Sequence, residues 1–239
     1  MTTILEERFS GPMVWDADTP FPNDGLAVLD AACLNEIEAV AQELRENPLP
    51  TEALRPEDFD MPACKLLMQG VRETVDNGTG FVVVDRLDVD GLGRDIATKM
   101  YWLLMSMTGR PVAQKWDGTL VYDVHDEGGK SLPGSGVRSS KTNGGQGFHN
   151  DNAFNLPPNF VALFCIQTAK KGGVSGIVSF ESVYNKLLDE HRDVLPRLYQ
   201  PFHFDRQMEH APDDERLSLK PIFEIDGESL NVNFSPRLV

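Results

Sequence analysis

In the run Gly147-Phe148-His149-Asn150-Asp151, an imidazole and a carboxylate stand two residues apart. Alternate residues of an extended chain point to one side, so His149 and Asp151 can aim at a single point and share one metal ion. One such pair plus a second histidine from elsewhere is the donor set of non-haem Fe(II) centres, with coordination positions left open for chemistry. Spacing alone does not single out this pair, because His203-Phe204-Asp205 repeats it. The ordinary reading of either motif is polar alternation along a strand.

Context separates the two. After His149 comes an apolar run with β character, Phe160-Val161-Ala162-Leu163-Phe164-Cys165-Ile166, and then the turn sequence Lys171-Gly172-Gly173-Val174-Ser175. Phe148-His149-Asn150-Asp151, the apolar strand and Gly172-Gly173-Val174-Ser175 together resemble the TauD/TfdA-type Fe(II)- and 2-oxoglutarate-dependent dioxygenases. The segment from Tyr199 through Pro221-Ile222-Phe223 to Phe234-Ser235-Pro236-Arg237 is similar to the part that such enzymes place inside their barrel. The resemblance covers roughly residues 70–239.

This resemblance implies an α+β fold, a double-stranded β-helix (jelly-roll, cupin-like) barrel backed by helices. It implies Fe(II) held by His149 and Asp151, 2-oxoglutarate as cosubstrate with Ser175 on its distal carboxylate, and O2 as oxidant. The product pair would be succinate and CO2, with a small-molecule substrate hydroxylated or desaturated. An intact carboxylate at Asp151 favours these outcomes over halogenation, for which related oxygenases carry a small apolar residue there. Asn152 and Gln146 flank the motif as candidate contacts to substrate or cosubstrate. The family's second metal histidine, and the arginine that pairs with 2-oxoglutarate, would fall beyond Val239. The expectation is therefore a barrel lacking its C-terminal strands and completed by a further segment. The alternatives are His203 or His210 as substitute ligand, with Arg206 and Arg216 as nearby guanidinium groups, or a barrel that no longer holds iron in the usual way. A binding protein of the same ancestry is thus the rival function. A metal-dependent hydrolase is a weaker one, since the chain has no H-E-x-x-H and no paired Cys–His spacing. His125 and His191 read as surface histidines.

The elements that must position these residues follow from periodicity. The 239 residues are enough for one domain with a substantial core. The division expected is a helical part with one strand over 1–110 and barrel strands with the metal motif over 111–239. Residues 1–23 read as an irregular arm anchored by Trp15 and Phe21. The spacing predicts helices over Asp24–Asn47, over Ala63–Asn77 with Leu66, Leu67, Val71 and Val75 inward, over Gly91–Thr108, and over Phe180–Tyr199. Strands are expected at Phe81–Val84, buried on both faces, at Leu120–Val124, and at Phe160–Ile166. A hairpin with Asp226-Gly227 in its turn spans 221–232. The glycine-rich stretch Asp126–Gly147 reads as a long loop, either a lid over the motif or an ordinary surface loop.

A formal net charge of −15 argues against nucleic acid, whose phosphates require clustered Lys and Arg. Cys33, Cys64 and Cys165, odd in number and set among apolar neighbours, read as buried thiols in a reducing compartment. With neither a leader-like N-terminus nor an apolar run of membrane-spanning length, the expected location is the cytoplasm. The sequence gives no reading of oligomeric state.

Overall fold

A computed structural model describes residues 4–115, 117–130, 139–208, 210–227 and 229–239. The chain divides into two compact units, the first made of Met1–Ser10, Val112–Val161 and Gly176–Val239, the second of Gly11–Pro111 and Ala162–Ser175.

The second unit is helical. Helix α1 (Ala31–Glu46) starts where the Asp30 carboxylate accepts the Cys33 N–H at 2.8 Å, later than the periodicity predicts, and buries Cys33, Ile37, Val40, Ala41 and Leu44. Leu26 belongs instead to β1 (Leu26–Ala27), which pairs in parallel with β2 (Val83–Val84). The strand expected over 81–84 is thus only two residues long, and Val83 is 55% exposed rather than buried on both faces. Helix α2 (Pro62–Asn77) turns Cys64, Met68 and Val71 inward, whereas Leu66 is 72% exposed. Positions 64, 68 and 71 share one helical face, and Leu66 stands about 200° from Cys64 around the axis. The inner face therefore runs through the cysteine and the methionine, and not through Leu66.

No side chain of its own caps α2. Glu36 of α1 does so from outside, its two oxygens accepting the N–H groups of Ala63 at 2.8 Å and Cys64 at 2.9 Å. The stretch Gly91–Thr108 is two helices, α3 (Val89–Leu92) and α4 (Arg94–Thr108), because Gly93 between them takes φ 78°. That left-handed conformation ends one helix and starts the next. Met100, Leu103 and Leu104 fill the core, and the Trp102 indole N–H donates to the Leu54 carbonyl at 3.0 Å. The arm is anchored as expected: Trp15, Phe21 and Phe81 pack edge to face with centroids 5.0–5.6 Å apart.

The first unit is built on α5 (Phe180–Glu190), α6 (Leu195–Leu198) and two antiparallel pairs, β3 (Phe202–Asp205) with β4 (Leu217–Lys220) and β5 (Phe223–Asp226) with β6 (Ser229–Val232). The helix expected over 180–199 breaks at His191, whose N–H closes α5 on the Leu187 carbonyl. Asp226 pairs with Ser229, so the two-residue turn opens on Gly227 (φ 62°), and Asp226 is the last residue of β5 rather than part of the turn as expected. The α+β class holds. Among the described residues the strands form three separate two-stranded ladders and no closed barrel. Neither 120–124 nor 160–166 is a strand. A strand needs a neighbour for its backbone groups, and no ladder among the described residues includes the apolar run. A side chain meets it instead, the Tyr101 hydroxyl donating to the Ala162 carbonyl at 2.9 Å. Leu163 is accordingly 79% exposed, and Cys165 is exposed, contrary to the expected buried thiol.

At the centre of the first unit Tyr184, Leu195, Phe204 and Phe223 are buried together with Ala153 and Phe154. Burying two phenols requires their hydroxyls to be satisfied. They close a ring with the N-terminal arm: Leu5 N–H donates to the Tyr199 oxygen at 3.3 Å, the Tyr199 and Tyr184 hydroxyls are 2.7 Å apart, and the Tyr184 hydroxyl donates to the Leu5 carbonyl at 2.7 Å. Burial, with the Tyr199 hydroxyl beside it, pushes the Tyr184 phenol well above the usual tyrosine range. Asn185 adds a second clamp, its amide oxygen accepting Phe9 N–H at 2.8 Å and its amide nitrogen donating to Phe9 C=O at 2.9 Å.

Two stability changes follow. Tyr184→Phe opens the hydroxyl ring and should cost about 1–3 kcal/mol in urea unfolding, the range for a buried polar group left short of a partner. Glu36→Ala strips α2 of its external cap and should cost about 1–2 kcal/mol. Unchanged midpoints in the same titration would contradict these roles.

Candidate functional site

The segment carrying the first H-x-D is held from three directions, all within the first unit. Downstream, a turn over 151–154 delivers Ala153 and Phe154 into the core, both buried. Asn152 in that turn adopts φ 55°, a left-handed conformation that asparagine tolerates better than most residues. Upstream, the Phe148 ring lies against Gly176, where an added Cβ would come within 3.3 Å of it. Between the two candidate ligands, Asn150 bonds to the end of β6 and the residues that follow it. Its N–H donates to the Phe234 carbonyl at 2.9 Å, its amide oxygen accepts Phe234 N–H at 2.5 Å, and its amide nitrogen donates to the Val232 carbonyl at 2.8 Å.

What remains outward is the pair itself. His149 Nε2 is 3.4 Å from Asp151 Oδ1, and the two side chains are 34% and 52% exposed. His149 Nδ1 lies 2.8 Å from the Gly147 carbonyl oxygen. A carbonyl only accepts, so Nδ1 carries a proton and the neutral ring presents the lone pair of Nε2 toward the carboxylate. Two acceptors facing each other call for something positive between them, a proton or a metal ion. Donor atoms sharing one first-row divalent ion with bonds of about 2.1 Å lie about 3.0–3.4 Å apart, so the pair fits such an ion. Without metal, the hydrogen bond to Asp151 raises the His149 pKa, against partial burial that lowers it, and the Gly147 carbonyl raises it further.

The second H-x-D is a strand pair. In β3 the buried Phe204 faces inward while His203, opposite Leu219, is exposed. Asp205 Oδ1 accepts Gln207 N–H at 2.8 Å, and His210 Nδ1 is 2.8 Å from the Ala211 carbonyl. Among the described residues no cluster of three or more His, Cys, Asp and Glu side chains could hold a metal, so neither His203 nor His210 joins the His149–Asp151 pair. Arg206 is committed to Asp214 at 2.6 Å and to the Glu215 carbonyl at 2.9 Å, and Arg216 stands 3.9 Å from Asp205. His125, His191 and Gln146 are exposed.

Ser175 belongs to the second unit, exposed at the end of the 162–175 segment. Gly172 and Gly173 before it take φ 76° and 73°, and an added Cβ on Gly173 would lie 3.1 Å from Ala169 Cβ. The double glycine is therefore a backbone requirement of that turn. Of the glycine-rich stretch expected as a lid or surface loop, 131–138 lies outside the described residues. Behind the motif is a cavity of about 360 Å³ with apolar walls, among them Phe148, Phe180, Leu187, Phe223 and Phe234. The residue that spacing passes over is Asn150, which reads as a mere spacer in H-x-D although its amide can bond like a backbone unit.

Residues 45–236 match the model of the family described as taurine catabolism dioxygenase TauD, TfdA family. The chain belongs to the TauD/TfdA family. Among curated TauD-like relatives it is 25% identical over 238 residues to FR-33289 synthase of Streptomyces rubellomurinus, an alignment covering 99% of this chain and 69% of that protein. It is 24% identical over 222 residues to a taurine hydroxylase-like protein of Stachybotrys chartarum, covering 90% of this chain and 56% of that one. The chain thus spans little more than half of the second relative's length. The TauD/TfdA family is one of oxygenases that generally depend on Fe(II) and 2-oxoglutarate and act on small molecules, with a jelly-roll fold. No helix among the described residues is long and apolar enough to cross a membrane.

The pair makes a titration that can be read directly. In the metal-free protein His149 should lose its proton above the ordinary histidine value of about 6.5, followed by its ring proton shifts in NMR. Because the folded value is raised, the stabilisation is fully present below the unfolded value and disappears as pH rises through the folded one. Asp151→Asn should bring the midpoint down; a midpoint indifferent to Asp151 would mean that the two side chains do not pair.

Proposed function

We propose that this protein is an Fe(II)- and 2-oxoglutarate-dependent oxygenase that hydroxylates or desaturates a small molecule, releasing succinate and CO2. The observation carrying this reading is the approach of His149 Nε2 to Asp151 Oδ1, 3.4 Å apart, in a chain whose residues 45–236 match the TauD/TfdA family. His149 and Asp151 hold the iron. The Gly147 carbonyl fixes the imidazole tautomer so that Nε2 is the ligating atom, the role such outer partners play for metal-bound histidines. Asp151 supplies the negative charge that a divalent ion requires, and its presence leaves no vacant position for halide. Ser175 donates its hydroxyl to the distal carboxylate of 2-oxoglutarate. Bound Fe(II), with 2-oxoglutarate and O2, supplies the oxidising chemistry, while the protein supplies orientation and a dry surround. The apolar cavity behind the motif, walled by Phe148 and Phe234, suits the non-polar part of a substrate. The double-stranded β-helix of the family and a cytoplasmic location complete the proposal.

Anaerobic addition of Fe(II) and then 2-oxoglutarate should give a visible metal-to-ligand charge-transfer band. His149→Ala and Asp151→Ala should each abolish it, and Ser175→Ala should weaken 2-oxoglutarate binding about tenfold, in line with the loss of one charge-assisted hydrogen bond. Folded wild-type chain that gives no band would sink the oxygenase reading of this chain and leave a binding protein of the same family as its successor.

A further inference from the structure

The residue between the two candidate ligands has unusually complete bonding. Along an extended strand the C=O of one residue and the N–H and C=O of the residue two further on project from the same edge. Val232 C=O, Phe234 N–H and Phe234 C=O are such a set, and all three are taken by Asn150. The opposite edge is occupied by β5 and its approach, through the β5–β6 ladder and then Asn233 N–H to the Ile222 carbonyl at 2.8 Å and Asn233 Nδ2 to the Pro221 carbonyl at 3.0 Å. Asn150 is therefore the point at which the metal motif is stitched to the edge of the hairpin.

A primary amide is the side chain suited to this place. It carries an acceptor and donors in one plane, like a peptide unit, and so answers a strand's N–H and C=O at once. Aspartate could accept from Phe234 but would set a carboxylate against the Val232 carbonyl, serine is too short to span both groups, and an aliphatic side chain answers neither. The two side chains flanking Asn150 are His149 and Asp151. The Asn150 N–H bond holds the peptide unit that joins His149 to Asn150, and the two amide bonds hold the Asn150 side chain, so the backbone between His149 and Asp151 is anchored to residues 232–234.

We propose that Asn150 is a positioning residue for the metal pair: by taking the outward backbone groups of Val232 and Phe234, at and just beyond the end of β6, it fixes the spacing of His149 and Asp151. The inference rests on the reading of that pair as metal ligands and adds the residue that holds them at ligating distance. It also links the cavity to the pair, because Phe234, whose backbone Asn150 holds, and Phe148, next to His149, both line that cavity.

The test uses Co(II), whose visible bands report coordination, on wild type, Asn150→Leu and Asn150→Ser, with Asn185→Leu as a control away from the motif. Each variant is compared with wild type for its Co(II) dissociation constant, its bands, and the unfolding midpoint of the metal-free protein. Asn150→Leu should weaken Co(II) binding about 10–100-fold, the usual cost of losing a group that orients a ligand, and should alter the bands of any Co(II) still bound. Asn150→Ser, neutral and able to keep one bond, should fall between wild type and Asn150→Leu. Asn185→Leu removes the corresponding amide from the N-terminal arm, and should lower the unfolding midpoint while leaving the dissociation constant and bands as in wild type. If Asn150→Leu does not fold, Asn150→Ser alone decides. Wild-type affinity and bands in the folded Asn150 variants would overturn the inference while leaving the metal reading intact. Wild-type chain that takes up no Co(II) would overturn the metal reading and this inference with it.

Discussion

A backbone that leaves a helix or the paired side of a strand still carries donors and acceptors, and something must meet them. In the first unit that task falls to asparagine amides. Asn185, on α5, takes both backbone groups of Phe9 and so turns the N-terminal arm into a covered segment. Asn150 does the same for residues 232–234. Between these two clamps lies the core around Tyr184, Phe204 and Phe223, where the two phenols satisfy each other and Leu5. Short ladders suffice here because side chains finish what the strands leave open.

The helical unit solves the same problem by longer local runs. Its helices bond internally, so their ends are what need attention, and these receive it from Asp30, Glu36 and the left-handed Gly93. The 162–175 segment of that unit lies outside helix and strand and ends in the double-glycine turn before Ser175. Tyr101 steadies it, stacking on Phe164 at 5.2 Å between ring centroids and bonding to the Ala162 carbonyl.

How far the sequence can be read depends on the range of each interaction. Helices α1, α2 and α4 are legible because their periodicity lies within each run, although the cap of α2 comes from Glu36, 27 residues before Ala63. Leu66 shows the limit, a frame chosen from apolarity where Cys64 and Met68 are the buried positions. The hairpin at Gly227 is legible for the same reason as the helices. The run 160–166 is not, because apolar β-formers become a strand only beside a partner, and sequence alone does not say whether one arrives. The His149–Asp151 approach can be anticipated from a two-residue spacing. Asn150 cannot, since its partners are 82 and 84 residues away.

The distribution of thiols has a practical side. Cys33 and Cys64 are buried, and desolvation raises both thiols above the usual cysteine range, that of Cys64 strongly. Cys165, the third of the chain's three cysteines, is exposed. Nucleophilic attack by sulfur requires the thiolate and access to it, so an alkylating dye will find Cys165 first. The unmodified chain thus carries a native attachment point for a fluorophore in the segment that leads to Ser175, and needs no cysteine removed or added to use it.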